Sequence, residues 1–277
     1  MFRRAAAILV ADKTEPGHSG PMLEVITLGS GSSGNAALVR DGTTTILVDA
    51  GLSAKQLTAR LATCGVTPDQ LAGILVTHEH GDHTSSLRVL LGRHGLPVYC
   101  NAMTARALQD GGLKHTNWRL FQNGAEFALG GFMVRAFSVP HDAADPVGFR
   151  ISSSDGCFGV LTDLGYATQV VFDALRGVKA ILIETNHDED LLAKDTKRPW
   201  SVKQRILSRH GHLSNAAAAR VLAELEAPLQ HVVLGHLSRD CNSPQLALDC
   251  VTRALAGRGG AICCAEPDQP GGSLQII

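Results

Sequence analysis

Short apolar runs broken by glycine- and serine-rich stretches dominate the chain from Leu23 onward. LEVITL at 23–28 gives way to GSGSSGN at 29–35, then AALVR at 36–40 and TTTILVDAG at 43–51. Two β-prone runs meeting at Asp41–Gly42 predict a hairpin, because an Asp-Gly pair takes up the conformations a tight turn demands. SAKQLTARLATCG at 53–65 changes period: Leu57 and Leu61 lie one helical turn apart, and Gly65 ends the segment. AGILVT at 72–77 reads as a short buried strand, followed by a helix over 84–95 and a strand over 97–101. Further strands are predicted at 132–139, 147–151, 157–162 and 180–184. Helices at 214–227 and 243–257 flank a strand at 231–236.

β meanders alternating with helices predict an α/β (α+β) chain in which two sheets pack face to face and helices cover the outside. No short repeat, low-complexity tract or linker divides the sequence, so residues 22–277 are expected to form a single domain. Residues 1–21 stand apart. Their arginines precede an apolar run, Ala5 to Ala11, at the short limit for the hydrophobic part of a signal peptide. A disordered leader is the expectation there, in a cytoplasmic protein. No apolar segment approaches the ~20 residues that a membrane span needs.

Composition sharpens this picture. Hydrophobic residues make up 44% of the 277 but aromatics only 4%, so the core must be large and mostly aliphatic. A net charge of −1 excludes a bulk positive field for nucleic acid and leaves room only for a local patch. One basic run exists: Lys194, Lys197, Arg198, Lys203, Arg205 and Arg209, opposed only by Asp195. It either tracks a nucleic-acid backbone, with Lys203 and Arg205 as candidate contacts, or forms a solvated helix face. Trp200 within it is a candidate for stacking on a base, with packing as its other reading. The 7 cysteines contain no CxxC pair, which argues against a disulfide framework and for a reducing compartment. Cys263 and Cys264 read as strand residues.

The densest chemistry is THEHGDH at 77–83, directly after a buried strand. Imidazole and carboxylate bind borderline divalent cations such as zinc, and also iron or manganese. On an extended loop His78 and His80 point the same way and can grip one cation, while Asp82 and His83 are offset and can grip a second. Single polar residues end other strands: His141 in VRAFSVPHD, Asp163 in CFGVLTDLG and His236 in HVVLGHLS. Loops at strand ends are where a rigid sheet presents reactive groups. His212 competes with His236 for the last position, since each opens an HLS; His236 ends a β-branched strand and is preferred. GSGSSGN offers backbone N–H groups and the hydroxyls of Ser30, Ser32 and Ser33 as a nest for phosphate, or else simply connects strands. In GHLSN, Ser214 is the expected N-cap of a helix starting near Asn215, and a helix N-terminus also attracts anions.

THEHGDH followed in order by His141, Asp163 and His236 resembles the metallo-β-lactamase superfamily, its dinuclear hydrolases above all. The resemblance implies a four-layer αβ/βα sandwich, with His78, His80 and His141 on one cation, Asp82, His83 and His236 on a second, and Asp163 bridging them. It implies that Asp49, in TILVDAG, supports the metal loop rather than ligating. GSGSSGN, ETNHD at 184–188, GHLSN and HLSRDCN at 236–242 narrow the resemblance to the YycJ/WalJ-type exonucleases, from about Leu23 to Ala256. Cys241 departs from that pattern, where a second asparagine is expected beside Asn242.

The narrower resemblance implies a phosphodiesterase that shortens DNA from its 5′ end, using two Zn2+ or Mn2+ ions (Fe2+ also fits) and a water activated between them. Asp82 would orient that water as well as bind metal. His212 would contact phosphate or deliver a proton, and Asn186, His187, Ser214 and Asn215 would lie near the substrate. Rival readings keep the metals but change the substrate to RNA 3′ ends, a thioester, a lactone or a β-lactam. Another keeps nucleic acid but not catalysis, as a binding module with a structural metal. The basic run argues against small neutral substrates, and a ligand set larger than one closed tetrahedral site argues against a purely structural metal. No membrane partner is expected, and oligomeric state is not legible.

Overall fold

The first half of the chain supplies strands β1 (Leu23–Gly29), β2 (Ala36–Arg40), β3 (Thr45–Val48), β4 (Gly73–Leu75), β5 (Val98–Asn101) and β6 (Trp118–Phe121). Helices α1 (Ala54–Thr63), α2 (Gly81–Thr84), α3 (Leu87–His94) and α4 (Ala102–Asp110) alternate with them. The second half supplies β7 (Glu126–Leu129), β8 (Phe132–Ser138), β9 (Val147–Ser152), β10 (Cys157–Leu161), β11 (Ala180–Glu184), β12 (His231–Gly235) and β13 (Ala261–Cys264). Its helices are α5 (Gln169–Ala174), α6 (Glu189–Lys194), α7 (Trp200–Ile206), α8 (Asn215–Glu224) and α9 (Pro244–Leu255). A last strand, β14 (Leu274–Ile276), returns to pair with β1. The structure is a computed structural model that describes residues 22–225, 228–258 and 260–277. The expected leader over 1–21 lies outside the described residues.

Two seven-stranded sheets result, ordered β14-β1-β2-β3-β4-β5-β6 and β13-β12-β11-β10-β9-β8-β7. In each, one side is antiparallel and the other parallel: β3 to β6 and β10 to β13 run parallel. Strands covered on both faces need continuous apolar runs, and β4, β10 and β11 are buried at every position. The sheets close on one another through Val39, Ile46, Phe132, Phe149 and Phe158. Leu57, Leu61, Leu90 and Leu108 of the first helical layer cover one outer face. Val171, Ala218, Leu222 and Val251 cover the other. The expected four-layer αβ/βα sandwich is the fold found, as one domain.

The hairpin at Asp41–Gly42 forms, with Arg40 opposite Thr45, and Cys263 and Cys264 lie in a strand. The predicted helix over 84–95 is shorter and begins at Leu87, because Ser86 directs both its N–H and its hydroxyl to the Ala50 carbonyl. The helix expected over 214–227 runs to Glu224, with residues 226–227 outside the described residues. Helices α5, α6 and α7 escaped the sequence pattern because 6 or 7 residues, under two turns, carry too little periodicity to see. The parallel strands matter most for function. Their carboxyl ends open onto one edge of the sandwich, the place where open parallel sheets bind ligands.

Candidate active site

Asp49 follows β3, Thr77 and His78 follow β4, Asp163 follows β10, Glu184 ends β11 and His236 follows β12. All of them are buried, as is His141 beyond β8. Asp49, Asp163 and His236 hold φ of 59°, 54° and 55°, a left-handed backbone that non-glycine residues avoid. Such strain costs on the order of 1–3 kcal/mol per residue and persists only where the surroundings enforce it. Here it turns the chain sharply off each strand, bringing Asp163 and His236 to within 3.1 Å of one another while Asp49 meets His83 from the other side of its ring.

THEHGDH is extended only as far as His80, and Asp82 and His83 lie on the single helical turn α2. The expectation of an extended loop throughout is therefore corrected. The helical turn is held from behind: the Asp82 carbonyl accepts from Asn35 N at 2.8 Å, and the His83 carbonyl from Ala50 N at 2.8 Å. Gly51 makes this approach possible, since a Cβ there would sit 1.6 Å from the Asp82 carbonyl oxygen.

Donor atoms of His78, His80 and His141 lie within 4.8 Å of one another, as do those of Asp82, His83 and His236. A third such group joins His78 and His83 to Asp163, between the two. Several rings are fixed in the tautomer a ligand needs. His83 Nδ1 meets Asp49 Oδ2 at 2.8 Å, while Asp49 also accepts from Thr77 N at 2.9 Å. Nε2 of His83 is thereby turned inward. His141 Nδ1 donates to the Gly211 carbonyl at 3.1 Å and presents Nε2 in the same way. Carboxylate or carbonyl partners of this kind orient metal-bound histidines in general.

The cluster fits a divalent cation on its own geometry. His78 Nε2 and His80 Nδ1 face each other at 3.0 Å. Asp163 Oδ2 is buried without a hydrogen bond among the described residues, although His83 Nε2 lies 2.9 Å away. Burial opposes charge here, yet His236 and His83 hold the Asp163 carboxyl well below the usual range. Burial likewise opposes a charged His83, but Asp163 and Asp49 raise it to about 10. His78 is held well below an ordinary imidazole by burial and by the nearby His83. A buried carboxylate drawing positive charge toward itself, beside neutral imidazole, is the donor set of a borderline metal.

Glu184 is the participant that sequence reasoning missed. It is fully buried, and its Oε1 meets His212 Nδ1 at 2.6 Å and His236 Nδ1 at 3.0 Å. Its Oε2 accepts from Leu164 N at 3.1 Å and Leu213 N at 3.2 Å. Burial pushes this carboxyl up, but His212 and His236 bring it down to about 2. The signal was present in AILIE, an apolar run ending in an acid, as with Asp163. Of the two competing histidines, only His236 groups with Asp82 and His83; His212 falls in a fourth group, with Asp163, Glu184 and His236, and meets Glu184 Oε1 directly. The His212 side chain remains 22% exposed, open to the cleft.

The residues expected near substrate divide sharply. Ser32 is exposed and makes no hydrogen bond among the described residues. Ser30 is buried instead, donating to Asn35 Oδ1 at 3.0 Å and accepting His236 N at 2.8 Å, so it braces His236 rather than a phosphate. Asn186 likewise donates to the His236 carbonyl at 3.1 Å. Asn215 is locked in a reciprocal amide pair with Asn242, at 2.9 and 2.8 Å. His187 is 1% exposed, with neither ring nitrogen hydrogen-bonded among the described residues. Ser214 caps α8 and donates to Glu189 Oε1.

Much of the basic run is already engaged within the protein. Lys203 is buried and donates to the Ala193 carbonyl at 3.0 Å. Lys197 and Arg198 pair with Asp240, and Arg198 also with Asp195. Arg205 pairs with Asp142, next to His141. Trp200 is 66% exposed, which removes the packing reading.

Among the described residues no helix is long and apolar enough to cross a membrane. The sequence matches the β-lactamase superfamily domain over residues 44–237. It is 36% identical over 240 residues to exodeoxyribonuclease YycJ of Bacillus anthracis, covering 86% of this chain and 90% of that protein. It is also 36% identical over 234 residues to exodeoxyribonuclease WalJ of Streptococcus pneumoniae, covering 83% and 87%. In fold it is similar to the metallo-β-lactamase fold protein YhfI from Bacillus subtilis, with a TM-score of 0.72 at 17% identity over 92% of this chain and 99% of that one. With a domain match over most of its length and relatives 36% identical across nearly their whole chains, this chain belongs to the β-lactamase superfamily, in its YycJ/WalJ-type branch.

Proposed function

We propose that this chain is a metal-dependent exodeoxyribonuclease that hydrolyses phosphodiester bonds from the 5′ end of DNA. The observation that carries the reading is the strand-end cluster, in which the Asp163 carboxylate lies buried between two sets of histidines, its Oδ2 2.9 Å from His83 Nε2. His78, His80 and His141 would hold one cation, Asp82, His83 and His236 a second, and Asp163 would bridge them. Zinc and manganese both suit these donors, and iron is compatible. When bound, such ions supply Lewis-acid stabilisation of phosphate charge and a water nucleophile at neutral pH.

The chain's own residues do the rest. Asp82, partly exposed at the cleft, orients the attacking water and accepts its proton at a carboxylate oxygen. Glu184 holds His212 Nδ1–H, leaving Nε2 to deliver a proton to the departing oxygen. Burial works against a charged His212, but Glu184 and Asp163 raise its pKa, which favours the protonated ring. Ser32 and the free edge of the 29–35 loop receive a phosphate of the strand. The nucleic-acid substrate follows from the relatives named exodeoxyribonuclease.

The test is incubation of chelated and metal-restored protein with end-labelled DNA and RNA, reading product length over time. Stepwise shortening of DNA from the 5′ end, only with metal restored, is expected. Intact DNA beside rapid cleavage of RNA or of a chromogenic lactam would overturn the assignment.

A further inference from the structure

We propose that Tyr166 and Arg209 form a stacking platform for one nucleobase beside the reaction centre, and so fix how the enzyme grips the strand it shortens. This deepens the nuclease reading above and rests on it. The Arg209 guanidinium carbon lies 5.0 Å from the centroid of the Tyr166 ring. Tyr166 is 39% exposed.

The pair is mounted on the catalytic loops. Tyr166 follows Asp163 by three positions, and between them Leu164 N donates to Glu184 and Gly165 N donates to the Pro140 carbonyl at 2.9 Å. Pro140 adjoins His141. Gly165 packs so closely on the 208–209 backbone that a Cβ would lie 2.4 Å from the Arg209 carbonyl. From Arg209 the chain runs straight to His212, with His210 O accepting from Asp142 N at 3.1 Å and His212 N donating to Ile206 O at 3.0 Å. Tyr166 and Arg209 are thus tied to the segments that carry Asp163, His141 and His212.

The charge of Arg209 is also unlike that of its neighbours. Arg205, Lys197 and Arg198 face carboxylates, whereas the Arg209 side chain makes no ion pair among the described residues. A guanidinium held over an exposed ring offers a cation for the adjoining phosphate beside the ring's π surface for a base. Every base has a π face, so such a contact grips a strand without reading its sequence, as an exonuclease requires.

The test uses metal-loaded full-length protein and DNA in which each nucleotide near the cleaved end is replaced in turn by an abasic spacer. Wild type should lose about tenfold in kcat/KM at one spacer position, mostly through KM, the order of effect of stacking one base on an aromatic ring. Tyr166→Leu should lose as much on intact DNA and become indifferent to that spacer, while Tyr166→Phe keeps most of the activity. Arg209→Ala should fall between them. Equal tolerance of the spacer at every position by wild type, a readout needing no variant, overturns the platform, as does a Tyr166→Leu protein that keeps wild-type sensitivity. In either case DNA cleavage by wild type leaves the nuclease reading standing. Absence of any DNA cleavage would remove that reading, and the platform with it.

Discussion

Two charge-rich regions lie side by side and treat their charge in opposite ways. In the strand-end cluster, carboxylates and imidazoles are buried with bonding capacity left over, as at Asp163 Oδ2. In the 194–209 segment most cations are engaged in place: Lys197, Arg198 and Arg205 pair with Asp240, Asp195 and Asp142, and Lys203 donates to a backbone carbonyl. Exposed ion pairs of the second kind contribute little to stability or binding. Buried groups of the first kind are unfavourable unless something completes them. The difference teaches that a run of charges in the sequence is no site by itself, since charges that already have partners leave little for a ligand.

The comparison is broken most forcefully at Asp163. Asp163→Asn should fold and yet lose metal-dependent cleavage below detection in an end-labelled DNA assay. Near-normal activity would remove the bridging role. Glu184→Gln comes next: with His236 and His212 no longer held by a carboxylate, kcat should fall about 10- to 100-fold, the usual cost of removing a partner that orients a metal ligand. KM should change little, since Glu184 is fully buried.

At the other region the expected effect is small. Lys197→Ala with Arg198→Ala should leave KM within about threefold and leave the salt dependence of DNA binding unaltered. Each lost phosphate contact would lower that slope by roughly 0.7–0.9, so a drop near that size would show the segment to be a DNA track after all.

A separate expectation concerns pH. In metal-free protein, His83 is pulled down by burial but raised to about 10 by Asp163 and Asp49. A histidine raised on folding adds stability that is complete below its unfolded pKa of about 6.5 and is lost as pH climbs through the folded value. The gap in urea midpoint between wild type and His83→Gln should therefore narrow between about pH 6.5 and pH 10. A widening gap would contradict the pairing.

The same contrast explains what the sequence disclosed. The ligand candidates were legible because metal chemistry is written in residue type and strand-end position, and neither depends on distant partners. His78, His80, Asp82 and His83 lie on one short segment; His141, Asp163 and His236 each end an apolar run. Glu184 obeyed the same rule, but within ETNHD the reading settled on Asn186 and His187 and passed over it. The roles of Lys203, Asn215 and Ser30 were not legible, because each is set by a partner remote in sequence: Ala193, Asn242 and His236. The sandwich could be read from its buried strands, whereas α5, α6 and α7 could not, being too short to show a period.

The central claim is that two cations sit side by side among these strand ends, and elemental analysis of purified, metal-saturated protein addresses it most directly. Wild type should carry about two equivalents of zinc or manganese per chain, His141→Ala and His236→Ala about one each, with cleavage lost in both. A wild-type chain that stays empty at saturating metal, or variants that retain both ions, would contradict it.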